Sequence, residues 1–107
     1  MDVQLKRGLL EVCVLAAMLR EDTYGYRLIR DLSPSIEISE STLYPILKRL
    51  EAARCVEVYT VAHNSRLRKY YSITQTGREK IEEFLREWQN VMKMYGYIEG
   101  EYRNDQK

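Results

Sequence analysis

Apolar positions along the chain change period several times, and each change marks an element. From Leu5 to Leu19 the run LKRGLLEVCVLAAML has helix-forming composition, and from Leu9 onward its apolar residues point almost all round the axis. Such a helix needs cover on more than one side, so it is either central in the domain or shared with a second subunit. The polar cluster Arg20-Glu21-Asp22 ends it, and Thr23 is placed to cap the next helix through its hydroxyl. That helix spans about Tyr24 to Leu32, turns Leu28, Ile29 and Leu32 inward, and must stop near Ser33 because Pro34 pushes the preceding residue out of helical geometry. Ser39, Ser41 and Thr42 form another capping cluster. The third helix then runs from about Thr42 to Arg54, with Leu43, Ile46, Leu47 and Leu50 on one face. Started there, it places Pro45 in the first turn, where a missing N–H donor has no partner to lose.

After the third helix the period drops to two. CVEVYTVAH puts Val56 and Val58 on one face and Glu57 and Tyr59 on the other, and KYYSIT, residues 69 to 74, alternates likewise. HNSRLR lies between them, and its Asn64-Ser65 suits a turn, so the pair predicts a hairpin with a basic tip. A final helix starts at Thr74 or Thr76, the latter with Glu79 at capping-box spacing. Its apolar residues Ile81, Leu85, Trp88, Met92 and Tyr95 recur at steps of four and three, a seam for another helix. Gly96 and Gly100 lower helix propensity, so EGEYRNDQK is expected to fray. Two short helices joined by a tight turn and followed by a hairpin outline a winged helix-turn-helix. The fold class is mainly α with a small β-hairpin. Winged helices commonly read DNA, so residues 1–76 are expected to form a DNA-binding domain and 77–107 a C-terminal dimerisation helix and tail, the two making one compact unit.

Charge sharpens this outline. Seventeen Lys and Arg against sixteen Asp and Glu give a formal +1, which decides nothing by itself. Residues 40–78, however, carry seven basic and three acidic side chains, between ends that are slightly acidic. A basic middle is the footprint of a surface that meets a polyanion. A chain of 107 residues suffices for one compact domain. No apolar run is long enough to span a bilayer and no leader pattern is present, so no membrane partner and a cytoplasmic location are expected. Cys13 and Cys55 lack metal spacing and are expected to be reduced and packed.

On a helical wheel the third helix leaves Ser41, Pro45 and Lys48 outward, flanked by Thr42, Tyr44 and Arg49. Hydroxyls, an amphipathic ring and cations suit base edges and phosphate oxygens in a major groove, although an ordinary solvated face would look the same. The helix before it and the hairpin after it favour DNA. Arg66, Arg68 and Lys69, with Asn64 and His63 beside them, could follow a phosphate backbone or enter a narrow minor groove; otherwise they make a soluble turn. Trp88 fits a dimer core together with Leu9, Ile81, Leu85, Met92 and Tyr95. Trp88 and Met92 could also hold a flat aromatic molecule if the paired helices leave a gap. No glycine-rich phosphate loop, metal-spaced His/Cys set or nucleophile with an oriented base is present, so the chain reads as a non-enzyme without cofactor or metal.

The combination YGYRLIRDL, then STLYPILKRLE, then a basic hairpin closing in RKYYSITQTGRE resembles the PadR family of bacterial transcriptional regulators, over about Leu5 to Trp88. The resemblance implies a homodimeric winged-helix repressor. By position it assigns DNA-facing roles to Tyr24, Ser41, Thr42, Tyr44, Pro45 and Lys48, and wing roles to Arg66 and Arg68; Ser39, at the start of the same helix, joins them as a candidate. It also implies that an aromatic or drug-like effector could act at Trp88. Two positions depart from the family pattern: Arg54 stands where a glycine usually follows the recognition helix, and Leu67 where the wing commonly has a proline. A non-glycine left-handed cap would be strained by about 1 kcal/mol or more.

The reading is therefore a sequence-specific transcriptional regulator, most simply a dimeric repressor on a double-stranded, pseudo-palindromic operator. The alternatives are a winged helix that binds protein rather than DNA, and a chain whose main activity is capture of a small molecule at Trp88.

Overall fold

The computed structural model describes residues 1–107 and contains four helices and one hairpin: α1 (Val3–Ala16), α2 (Gly25–Leu32), α3 (Glu40–Ala52), β1 (Val56–His63), β2 (Arg66–Ile73) and α4 (Gln75–Asp105). α1 begins two residues earlier than its apolar pattern suggests, because the Asp2 carboxylate accepts from the Gln4 and Leu5 amides and caps it. It also ends sooner, at Ala16. Leu10, Val14, Leu15 and Met18 enter the core. Val12 is buried as well, on the side that lines a groove with Phe84 and Trp88 of α4. The helix that is apolar nearly all round is thus sandwiched.

α2 and α3 supply Leu28, Leu32, Leu43, Ile46, Leu47 and Leu50 to that core, and the hairpin closes it with Val56 and Tyr71. Thr23 does not cap α2. The capping position falls to Tyr24, which makes no side-chain cap bond. Thr23 instead pairs with Tyr71, the Thr23 amide donating to the Tyr71 carbonyl at 3.1 Å and the Tyr71 amide returning a bond of 2.7 Å. Thr23 thus forms a single antiparallel bridge to the hairpin just before α2, and its buried hydroxyl has no partner.

The two strands pair antiparallel in unbroken register from Val56↔Ile73 to His63↔Arg66. The expected basic tip of six residues shrinks to two, Asn64 and Ser65, with φ of 49° and 64°. Positive φ at both central positions gives the turn whose twist matches the strands, so Arg66, Leu67 and Arg68 are strand residues rather than loop.

The cap of α4 is Thr74, not Thr76. Its hydroxyl accepts from the Gly77 amide at 3.1 Å and donates to the Arg54 carbonyl at 2.7 Å, tying the start of α4 to the exit of α3. Gly77 permits that closeness, because a Cβ there would run into the Cys55 carbonyl oxygen. The expected fraying is absent: α4 continues through Gly96 and Gly100 to Asp105. At 31 residues it is about 46 Å long. Cys13 is half-buried and Cys55 buried, both as free thiols.

Candidate nucleic-acid interface

The exposed face of α3 carries Ser39, Ser41, Thr42, Tyr44, Pro45 and Lys48, while Leu43, Ile46, Leu47 and Leu50 anchor it from below. α3 starts at Glu40 with Ser39 as its capping residue, two residues before the start expected from the capping cluster. Pro45 consequently lies in the second turn, where it fails to donate to the Ser41 carbonyl, and the first-turn reading is overturned. The early turn tightens around this defect, with the Thr42 and Leu43 amides both donating to the Ser39 carbonyl at 3.1 and 2.9 Å. The three hydroxyls form a local network: Ser39 Oγ lies 2.9 Å from Ser41 Oγ and 3.2 Å from Thr42 Oγ1. Each hydroxyl can reorient toward an outside partner, since none is tied to a buried group.

Tyr44, 44% exposed, leans its phenol end over the first residue of α2. Gly25 makes the room, because a Cβ there would strike the Tyr44 hydroxyl. Arg49 is drawn the other way. Its Nε donates to Glu11 Oε1 at 2.9 Å, while Lys80 Nζ approaches Glu11 Oε2 at 3.4 Å. A largely buried carboxylate thereby joins α1, α3 and α4, a pairing that offsets its desolvation. Arg49 was expected among the DNA-facing residues, yet one edge of its guanidinium is committed to the protein's own frame.

The wing residues divide by strand parity. Arg66 and Arg68 share a face with Tyr70, and across the ladder with His63, Val61 and Tyr59; Lys69 points to the opposite face, outward of Tyr71. The first face is built around aromatic rings. Tyr70 stacks on Tyr59 with centroids 5.6 Å apart and meets Tyr24 edge-on at 5.4 Å. The Arg68 guanidinium sits 4.1 Å above the Tyr24 ring, a cation–π contact. Tyr59 donates its hydroxyl hydrogen to Asp22 Oδ2 at 2.6 Å, and that bond holds its phenol above the ordinary range. Tyr24, the capping residue of α2, thus links helix and wing. Tyr59, Tyr70 and Asp22 were not singled out as site residues, although the alternation already put Tyr59 on the outer face. Arg66 projects near the turn, exposed like Asn64, which makes a 3.3 Å contact with the His63 ring.

On α4 the residues expected to mediate dimerisation occupy different environments. Ile81 packs against the chain's own core. Trp88 is half-buried, tilted against Phe84 with centroids 5.6 Å apart. It lines a groove of about 360 Å³ shared with Leu5, Gly8 and Leu9 of α1. Leu85, Met92 and Tyr95 are exposed, and the Tyr95 hydroxyl donates to Glu99 Oε2 at 3.1 Å. Trp88 and Met92, the candidate effector pair, also border a shallow hollow beside Leu85.

Comparison with known proteins places these features in a family context. The sequence pattern of the transcriptional regulator PadR-like family matches residues 14–83. An uncharacterized protein of Lysinibacillus sphaericus is 35% identical over 101 residues, covering 88% of this chain and 92% of that one. Among solved structures, a PadR family transcriptional regulator from Eggerthella lenta superposes with a TM-score of 0.80 at 34% identity, covering 90% of this chain and 86% of the other. A PadR-like transcriptional regulator from Bacillus cereus does so at 0.75 and 34%, covering 89% and 95%.

Proposed function

Because the chain belongs to the PadR-like family of transcriptional regulators, and is therefore a DNA-binding regulator and not an enzyme, we propose that it acts as a homodimeric repressor. In this reading each protomer lays α3 in the major groove of one half of a pseudo-palindromic operator. Ser41, Thr42, Tyr44 and Pro45 face base edges, Lys48 faces phosphate, and Tyr24, Arg66, Arg68 and the Asn64 turn face the flanking backbone. The observation that carries the reading is the outward face of α3. It presents hydroxyls, a rigid ring and the unpaired cation Lys48, while Leu43, Ile46, Leu47 and Leu50 are buried beneath it. Residues 1–76 then serve as the reading head and 77–107 as the arm that pairs two copies.

Release would come through the arm. The groove between Trp88 and α1 is the place where a planar aromatic effector could alter the angle between arm and head, and so misplace the paired recognition helices. Quenching of the chain's single tryptophan by such compounds is its direct readout.

The test is a titration of the duplex upstream of the protein's own gene against random DNA at two salt concentrations. Preference for the former is expected. Lys48→Ala should weaken binding across sequences and lower the salt slope by about two, one phosphate per protomer. Equal affinity for both duplexes would defeat the operator reading.

A further inference from the structure

An α-helix in a major groove about 12 Å wide is bordered by two phosphate strands, one along each flank. On one flank of α3 stands the wing, with Arg66 and Arg68, and the capping residue Tyr24. The opposite flank is bounded by the beginning of α1. Between them runs an open groove of about 490 Å³, lined among others by Lys6, Arg7, Ser41, Thr42, Pro45 and Arg49. Half of those six residues are outward residues of α3, so a duplex seated on that face brings its second strand to this groove.

We infer that Lys6 and Arg7 form a second phosphate clamp, which holds the DNA backbone on the flank of α3 away from the wing. The inference rests on the DNA-binding reading above and extends its footprint to a helix that carried no DNA role. Both side chains are exposed, and neither is ion-paired within the chain, in contrast to Arg27, Arg30, Arg49, Lys80 and Arg103. The two acidic residues of this segment are turned elsewhere: Asp2 caps the Gln4 and Leu5 amides, and Glu11 is shared by Arg49 and Lys80. Arg49, the third cation of the groove, is therefore partly neutralised, which leaves Lys6 and Arg7 as its free positive charge. The Ser41 and Thr42 hydroxyls opposite add neutral donors to a phosphate oxygen. A duplex backbone, a regular row of anions along an open trough, fits that arrangement of charge at the rim.

Binding of the promoter duplex by fluorescence anisotropy, across a salt series, tests the clamp. Lys6 and Arg7 sit on the exposed side of the first turns of α1, so glutamine at both positions keeps helix propensity. For Lys6→Gln/Arg7→Gln the slope of log affinity against log salt should fall by roughly 3.6, two phosphates in each half-site of the dimer, with affinity more than about tenfold lower at low salt. Discrimination between promoter and random duplex should stay unchanged, because phosphate contacts carry no sequence information. Lys6→Arg/Arg7→Lys should retain the wild-type slope. Arg66→Gln serves as the wing reference. A slope unaltered in the double glutamine variant overturns the clamp whatever Arg66→Gln does, and leaves the operator reading standing if the wild type still prefers its promoter. A wild type that binds neither duplex overturns both.

Discussion

Arg54 shows how a single residue can carry a legible strain. The Cys55 amide donates to the Leu50 carbonyl at 2.8 Å and the Arg54 amide to the Glu51 carbonyl at 3.0 Å. This pair of reversed bonds closes a helix with a left-handed residue after its cap. Arg54 is that residue, at φ 61°, so the exit follows the glycine geometry without the glycine. Arg54→Gly should therefore stabilise the protein. A left-handed L-residue costs about 1–2 kcal/mol, and the added freedom of glycine in the unfolded chain returns about 0.5–1 kcal/mol of that, for a net gain of roughly 0.5–1 kcal/mol. Urea unfolding should show a higher midpoint at unchanged slope. The family pattern marked the position, but whether Arg54 would keep the left-handed exit or change it was decided only by the observed backbone. The Arg49–Glu11 pair could not be read from sequence, since its partners are 38 residues apart and nothing on the wheel separates a cation that faces DNA from one that turns inward.

At the scale of the element, α3 breaks a rule of helices on the surface proposed to meet DNA. Pro45 stands in the second turn and withholds a bond from Ser41. An interior proline costs about 3 kcal/mol relative to alanine, of which its rigidity in the unfolded chain recovers up to about 1 kcal/mol. Pro45→Ala is accordingly expected to raise stability by roughly 2–3 kcal/mol in denaturant titration while weakening promoter binding, a trade expected where a strained element serves function. Unchanged affinity would remove Pro45 from the interface. The period of the apolar residues was enough to find α3 and its buried face, but not its first residue. Ser39, Ser41 and Thr42 are all competent caps, and only the observed backbone makes Ser39 the one. The hairpin behaved similarly: its turn residues were evident, whereas the length of the pairing depended on Asn64 and Ser65 both adopting positive φ.

On the scale of the whole molecule, the protomer is elongated. Its extents are 66 × 26 × 23 Å and its radius of gyration is 17.3 Å, against about 13 Å for a compact chain of this length. α4 causes this by running past everything that covers it. Ile81, Phe84 and Trp88 rest on the body, but Val91, Met92, Tyr95, Ile98 and Tyr102 are exposed along a continuing stripe, an apolar surface of the kind that marks an interface. A second copy is the proposed cover. Met92→Lys, which places a charge in that stripe without touching the protomer's own core, should shift sedimentation from dimer toward monomer and weaken operator binding in parallel. A wild type that sediments as a monomer would refute the pairing.

Sequence alone determined what depends on neighbours along the chain: the helical and strand periods, the buried residues of α2 and α3, the position of the turn and the family motif. These are set by short-range geometry, so a linear pattern contains them. Tertiary structure alone decided which of several competent groups is used. Thr23 became a bridge partner of Tyr71 instead of a cap, Arg49 was drawn to Glu11, Tyr24 was joined to the wing through Tyr70 and Arg68, and the start of α1 came to lie beside α3. Each choice depends on residues far apart in sequence meeting in space, and burial makes the outcome matter, because a charge or backbone group removed from water must find its partner wherever the fold supplies one.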